Sequence, residues 1–154
     1  MKIYLTQHGD ALTKEVDPDR PLSDRGQADV GRVASFLAAS GITIDQVRHS
    51  GKTRARQSAE LLAARLAPAA VVEPMEGLGP KDSGDELMKV IEAMSDDLLV
   101  AGHQPFMGRF VSRLLSARAD APMVFYRPGS VVCLERDQEG AWTLQWMIRP
   151  ELLG

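Results

Sequence analysis

Residues 97–103 read Asp-Leu-Leu-Val-Ala-Gly-His, with four apolar side chains in a row and no polar residue alternating among them. A strand with one wet face shows a period of two; one without it is covered on both sides, as in parallel sheets flanked by helices. This run therefore demands apolar layers above and below it. The remainder of the chain is divided into segments able to supply them. Lys-Ile-Tyr-Leu-Thr-Gln, at 2–7, reads as a short buried strand, and Asp45 to His49 as a weaker one. Ser23 is placed to cap a helix running to about Ser40, where Val30, Val33, Ala34 and Leu37 share one face and Gly41 ends the element. A second helix carries Ala55, Ala59, Leu62 and Leu66 on one side and stops at Pro68.

Ala70 to Val72 reads as a third strand. Ser83-Gly84-Asp85-Glu86 has the form of a capping box ahead of a face made by Leu87, Val90, Ile91 and Met94. Pro105 suits the first turn of a helix bearing Phe106, Phe110, Leu114 and Leu115. The closing stretch, Ser130 to Ile148, consists of two β-runs joined at Gly140, a hairpin pattern. Two longer polar segments, 8–22 and 73–83, suit the walls of a site.

Strands alternating with helices predict an α/β fold: a three-layer sandwich of a mainly parallel sheet with helices on both faces and a C-terminal β-hairpin at its edge. The 154 residues make one domain, 1–154. A net charge of −3 gives no basic footprint for nucleic acid or for a membrane surface. The lone Cys133 has no internal disulfide partner, no apolar run approaches the roughly 18 residues of a membrane span, and no basic-then-apolar leader opens the chain. The expectation is a cytoplasmic protein, with nothing demanding more than a monomer.

Ligands of open α/β sheets bind beyond the carboxyl ends of the strands. That edge collects His8-Gly9 after the first strand, Ser50-Gly51-Lys52-Thr53-Arg54 after the second, and Gly102-His103 after the strand at 98–102. Two imidazoles and a guanidinium suit phosphoryl transfer through a covalent intermediate. Neutral imidazole is a nucleophile near pH 7, since its ordinary pKa is about 6.5. Arg54 has the planar fork that grips two phosphate oxygens, and His103 is a second donor for charge spreading over the equatorial oxygens. Gly9 leaves room beside the ring for a phosphate. Lys52 reads as a solvated helix residue, and His49 as a packed or hydrogen-bonded residue within its strand.

Other chemistries lack their residues. Ser50 to Thr53 has the ending of a phosphate-binding P-loop, but Gln46 stands where its first glycine is required. No Gly-x-Ser-x-Gly elbow is present, nor a Gly-x-Gly-x-x-Gly turn, nor histidines or cysteines at zinc-ligand spacing.

Three blocks, Gln7-His8-Gly9, Ser50 to Ser58 and Gly102 to Pro105, resemble those of the histidine phosphatase superfamily, also called phosphoglycerate-mutase-like. The family hallmarks are Arg-His-Gly, Ser-x-x-x-Arg-Ala-x-Gln-Thr, and a later Gly-His or Ser-His. The short chain and its Asp-Arg-Pro-Leu-Ser-Asp-Arg-Gly segment at 19–26 look most like the small SixA-type branch, associated with protein phosphohistidine phosphatases. The likeness runs from residue 2 to about residue 148.

The resemblance implies a metal-independent phosphatase without cofactors. His8 attacks phosphorus and becomes phosphohistidine; water then hydrolyses it, with Arg54 and His103 holding the phosphoryl oxygens. Gln7, Gly9, Ser50 and Gly102 line the phosphate site, and Arg20 is a candidate further contact. The implied partner is a phosphohistidine protein, such as a phosphotransfer domain. A small-molecule phosphomonoesterase, or a phosphate-binding or phosphoprotein-binding module with weakened catalysis, stands as the alternative. Gln7 replaces the hallmark arginine and brings an amide without charge. This predicts a weaker enzyme unless Arg20, Lys52 or Arg127 makes up the deficit. For the proton donor, Glu76 is the first candidate, beside Glu86, Asp17 and Asp19. A phosphohistidine substrate lessens the need for one, because its imidazole leaving group protonates readily.

Overall fold

The computed structural model describes residues 1–118 and 120–154. In chain order the elements are β1 (Lys2–Gln7), α1 (Asp24–Ala39), β2 (Gln46–His49), α2 (Thr53–Leu66), β3 (Val72–Pro74), α3 (Asp85–Glu92), β4 (Leu98–Gly102), α4 (Phe106–Ser116), β5 (Val131–Arg136) and β6 (Trp142–Ile148). A short 3-10 turn follows at Pro150–Leu153. The six strands form one sheet in the order β3-β2-β4-β1-β5-β6. The pairs β2–β3, β2–β4 and β1–β4 are parallel; β1–β5 and β5–β6 are antiparallel. The expected α/β sheet with an edge hairpin is what forms.

The uninterrupted apolar run is β4, and every residue of it is buried. Its side chains alternate between two separate cores. Leu99 and Ala101 join Tyr4, Val47 and Cys133 beneath α1 and α2, through Val30, Val33, Leu37, Leu62 and Leu66. Leu98 and Val100 join Ile3, Leu5, Val132 and Leu134 beneath α3 and α4, through Leu87, Ile91, Phe106, Met107 and Phe110. The strand's period of two thus distributes one apolar sequence over two helix layers. Among the described residues no helix is long and apolar enough to cross a membrane.

Local boundaries depart from the sequence reading in three places. The third strand is Val72–Pro74 rather than Ala70–Val72, because the Ala70 amide closes the end of α2 by donating to Ala67 O, and pairing with β2 begins at Val72. Pro74, which has no amide to donate, ends a strand at the sheet edge, where the loss is tolerated. The capping box at Ser83 does not close. Gly84 is the N-cap of α3, with φ of 87°, and the Glu86 carboxylate turns to Lys89. Only glycine fits there, since a Cβ would come within 2.8 Å of the Phe110 ring. Pro105 lies one position ahead of α4 rather than inside its first turn. By contrast Ser23 caps α1 as expected, its hydroxyl accepting from the Gly26 amide at 3.0 Å.

Candidate active site

The sheet brings the three blocks together because β2, β4 and β1 are parallel neighbours whose carboxyl ends are level. Gln7 pairs with Gly102 and His49 with Ala101. The His8 amide donates to Gly102 O at 2.9 Å, and the Ser50 amide to Ala101 O at 3.2 Å. His8 and His103 meet edge to face, their ring centroids 5.1 Å apart.

Each ring is held by specific partners. His8 Nδ1 lies 2.7 Å from Gly9 O, and Arg54 Nε donates to His8 Nε2 at 3.2 Å. A carbonyl only accepts and a guanidinium only donates, so Nδ1 carries the proton and Nε2 exposes its lone pair. His103 Nε2 lies 2.6 Å from the Ser50 hydroxyl, which also accepts weakly from the Lys52 amide at 3.5 Å. Burial pushes the His8 pKa down to about 4; the Gly9 carbonyl and the more distant Asp10 oppose this, while Arg54 and Arg20 add to it. His103 falls to about 3, chiefly by burial, then through His8, Arg54, Lys52 and Arg20. Both rings are neutral at pH 7. Burial, then Arg20, lowers the pKa of Arg54 as well, though the group stays a cation.

Arg20 therefore lies close enough to bear on all three groups. Its backbone is left-handed, with φ of 48°, an arrangement that costs a non-glycine residue of order 1–3 kcal/mol. Its amide donates to Asp17 O and its Nε to Leu12 O, and these bonds hold it there. Among the described residues Arg20, Lys52 and Arg54 have no carboxylate partner, whereas Arg127 pairs with Glu151 at 3.2 Å and lies over the Phe125 ring. Arg127 is thus drawn to the C-terminal turn and is no free cation for the site.

Other expected site residues take different places. Gly9 does not make room for a phosphate: a Cβ there would meet Val30 Cγ2 at 2.8 Å and Gly26 O at 3.0 Å, so its smallness serves the packing of α1. A Cβ on Gly26 would in turn lie 2.0 Å from Asp10 O. The His-Gly turn and the first turn of α1 thus cross backbone to backbone. The Ser50 hydroxyl is engaged by His103. Gly102 supplies its carbonyl to His8, and a Cβ on it would strike the flexible end of Met107. Gln7 Oε1 is buried without a hydrogen-bond partner, alone in this among the described side chains.

None of the carboxylates considered as donors hydrogen-bonds to either imidazole. Glu76 is exposed, Glu86 is paired with Lys89, and Asp17 accepts from the Asp19 amide in a local turn. Asp10, which the sequence reading passed over, is the carboxylate felt by His8, but its Oδ2 accepts from Ser23 Oγ at 2.5 Å. His49 is buried at 4% exposure, its Nδ1 accepting from the Gly51 amide at 3.0 Å, which makes it a structural residue as expected.

Sequence reasoning missed Gly26, and it placed Ser58 at the end of the second block, where the family hallmark has threonine, without giving it a role. Gly26 left a signal as a glycine early in a helix, where it weakens the element unless packing requires it; Ser58 left one as a polar residue beside the apolar stripe of α2. Ser58 is fully buried, and its hydroxyl accepts from the Gly9 amide at 3.0 Å and donates to Arg54 O at 2.8 Å.

Comparison with known proteins agrees with this fold. A structure of the protein histidine phosphatase SixA complexed with tungstate superposes with a TM-score of 0.89 at 23% identity over 100% of both chains. The alpha-ribazole phosphatase from Shigella flexneri gives 0.76 at 17% identity over 97% of each. An uncharacterized protein of Picosynechococcus sp. is 33% identical over 122 residues, covering 74% of this chain and 73% of its own. The family model for the histidine phosphatase superfamily (branch 1) matches residues 3–86, which hold His8 and Arg54; His103 lies outside that match and joins them through the β1–β4 pairing. With more than half of its length matched, the chain belongs to the histidine phosphatase superfamily.

Proposed function

We propose that the protein is a metal-independent phosphatase that forms a phosphohistidine on His8 Nε2 and acts on protein phosphohistidine. The observation that carries this reading is the state of His8: a neutral ring whose Nε2 lone pair faces a guanidinium, amid cations that lack carboxylate partners. In the first step Arg54 turns from Nε2 onto the phosphoryl oxygens. The Nε2 lone pair forms a bond to phosphorus as the P–N bond to the leaving imidazole breaks, and that imidazole takes a proton from solvent water. The ring becomes cationic, and Gly9 O, 2.7 Å from Nδ1, stabilises that charge as a carboxylate does in a hydrolase triad. In the second step water attacks phosphorus, the P–Nε2 bond breaks, and phosphate leaves a neutral His8.

Arg54 and His103 hold the equatorial oxygens, with Ser50 orienting the His103 ring. Arg20 and Lys52 add positive potential, in the manner of the cationic clamps of other phosphoryl-transfer sites. Gln7 offers one amide donor, Gly9 and Gly102 position the nucleophile, and Glu76 is left as the outlying candidate acid. Among the described residues the carboxylates weighed as acids are exposed or engaged elsewhere, and a phosphoramidate substrate, whose imidazole leaving group needs little acid assistance, suits such a site. The likeness to an alpha-ribazole phosphatase supports the second reading, a phosphomonoesterase for small molecules.

The test incubates the protein and His8→Ala with a phosphohistidine protein and with p-nitrophenyl phosphate. Turnover of the first above the second, lost in His8→Ala, is expected. Preference for the ester favours the second reading. Turnover of neither leaves a binding module, and activity retained by His8→Ala removes the mechanism.

A further inference from the structure

Four hydrogen bonds close a ring around the proposed nucleophile. His8 Nδ1 donates to Gly9 O (2.7 Å), the Gly9 amide to Ser58 Oγ (3.0 Å), Ser58 Oγ to Arg54 O (2.8 Å), and Arg54 Nε to His8 Nε2 (3.2 Å). We infer that Ser58 is a positioning residue: its one hydroxyl ties the backbone of the residue that orients the imidazole to the backbone of the residue that faces its other nitrogen.

A serine that back-bonds to the carbonyl four residues earlier is common in helices and by itself means little. Here the same oxygen also takes the amide of a residue 49 positions away, from another strand end. A hydroxyl has one proton to give and lone pairs to receive, so it can serve both partners at once; an alanine serves neither. The Arg54 carbonyl retains its helical partner if Ser58 is lost, but the Gly9 amide has no other acceptor among the described residues. The loss therefore falls on the His-Gly turn. That turn is also held by the His8 amide on Gly102 O, the Gly129 amide on His8 O, the Ser23 amide on Asp10 O and the close crossing of Gly9 with Gly26, but none of these engages the Gly9 amide.

Two consequences are specific to the ring. The first is the tautomer. Gly9 O and Arg54 Nε agree on a proton at Nδ1, opposite to the preference of an unrestrained histidine side chain for Nε2–H, so loosening either contact releases the ring toward Nε2–H. The second is the approach of nucleophile and guanidinium, which sets how both meet a phosphoryl group. A misplacement of about 1 Å at such a point costs up to about 10²-fold in rate without removing any contact to substrate.

The kinetic part of this inference rests on the function proposed above; the tautomer does not. The test uses the full chain labelled with ¹⁵N on histidine, as Ser58→Ala, Ser58→Cys and Ser58→Thr. The native His8 is expected to show a protonated Nδ1 and a bare Nε2. Ser58→Ala should shift His8 toward Nε2–H and lower kcat by about 10- to 100-fold with KM changed far less. Ser58→Thr, which keeps the hydroxyl, should retain the native pattern. Ser58→Cys, a weaker partner of similar size, covers the case in which the alanine chain does not fold, and should lie between the two. Native tautomer and native kcat in folded Ser58→Ala or Ser58→Cys overturn the inference. So do alanine and threonine chains that shift alike, because packing rather than the hydroxyl is then responsible. Should the native protein turn over no phosphorylated substrate, the proposed function fails while the ¹⁵N pattern still decides the role of Ser58.

Discussion

The ends of β1 and β2 look alike in sequence, a histidine with a glycine one or two residues on, yet they differ in almost every physical respect. At β1 the glycine is hemmed in, and the histidine turns one nitrogen toward the cations. At β2 the glycine has φ of 90° and open space around its Cα, while His49 is buried and its Nδ1 is sealed by that glycine's own amide. One glycine is required for packing and the other for backbone conformation. What distinguishes the proposed nucleophile from the structural imidazole is the donor on its unprotonated nitrogen, a displaceable guanidinium at His8 Nε2 and a backbone amide at His49 Nδ1.

The contrast is broken most sharply by alanine at each histidine. His8→Ala should reduce turnover by at least about 10³-fold, the loss typical of a nucleophile. His49→Ala should stay within about tenfold of native while losing about 1–3 kcal/mol through removal of a buried ring and its hydrogen bond, read from urea midpoints. Equal kinetic losses would erase the distinction.

The glycines come next. Gly9→Ala must displace Val30 or the α1 backbone and should cost about 1–3 kcal/mol together with activity. Gly51→Ala should cost about 1 kcal/mol from its positive φ and leave turnover close to native. Denaturation and rate measured on the same preparations decide between them.

Acid sharpens the comparison further. The folded pKa values of His8 and His103, about 4 and about 3, lie below the ordinary value of 6.5. The unfolded chain therefore binds protons first, and stability that is full above pH 6.5 is lost as pH falls through that value toward the folded ones. Between pH 7 and pH 5 each ring should cost about 1–2 kcal/mol, before most carboxylates titrate. A urea series over this range should be flatter for His8→Ala than for the native chain; parallel curves would show that burial does not depress His8.

The smallest effects lie beside the proposed nucleophile. Gln7→Met removes a buried carbonyl that has no partner and should stabilise the fold by about 1 kcal/mol. Gln7→Arg should raise turnover by roughly tenfold, since a charged donor exceeds a neutral one by about 1 kcal/mol or more. An unchanged rate would mean that Arg20 already supplies the missing charge.

Much of this was legible beforehand. The uniform apolar run of β4 announced two helix layers, and His8, Arg54 and His103 were identifiable because parallel strands bring their carboxyl ends to one edge. The capping box failed because Phe110, 26 residues beyond Gly84, leaves no room for any other residue at the cap. Gly9 was assigned to phosphate when its neighbour is Val30, a contact that no local pattern encodes.

Composition and periodicity thus determined the layers, the alternation and the edge where chemistry gathers, since burial and strand direction depend on residues close in sequence. Which imidazole nitrogen carries no proton, which serine serves which histidine, and why Gly9 and Gly26 must both be small were decided only by tertiary contacts. Those contacts depend on strand register and helix placement to within fractions of an ångström, between residues 16 to 53 positions apart. Hydrogen bonds and steric limits are sensitive at that scale, and hydrophobic patterning is not.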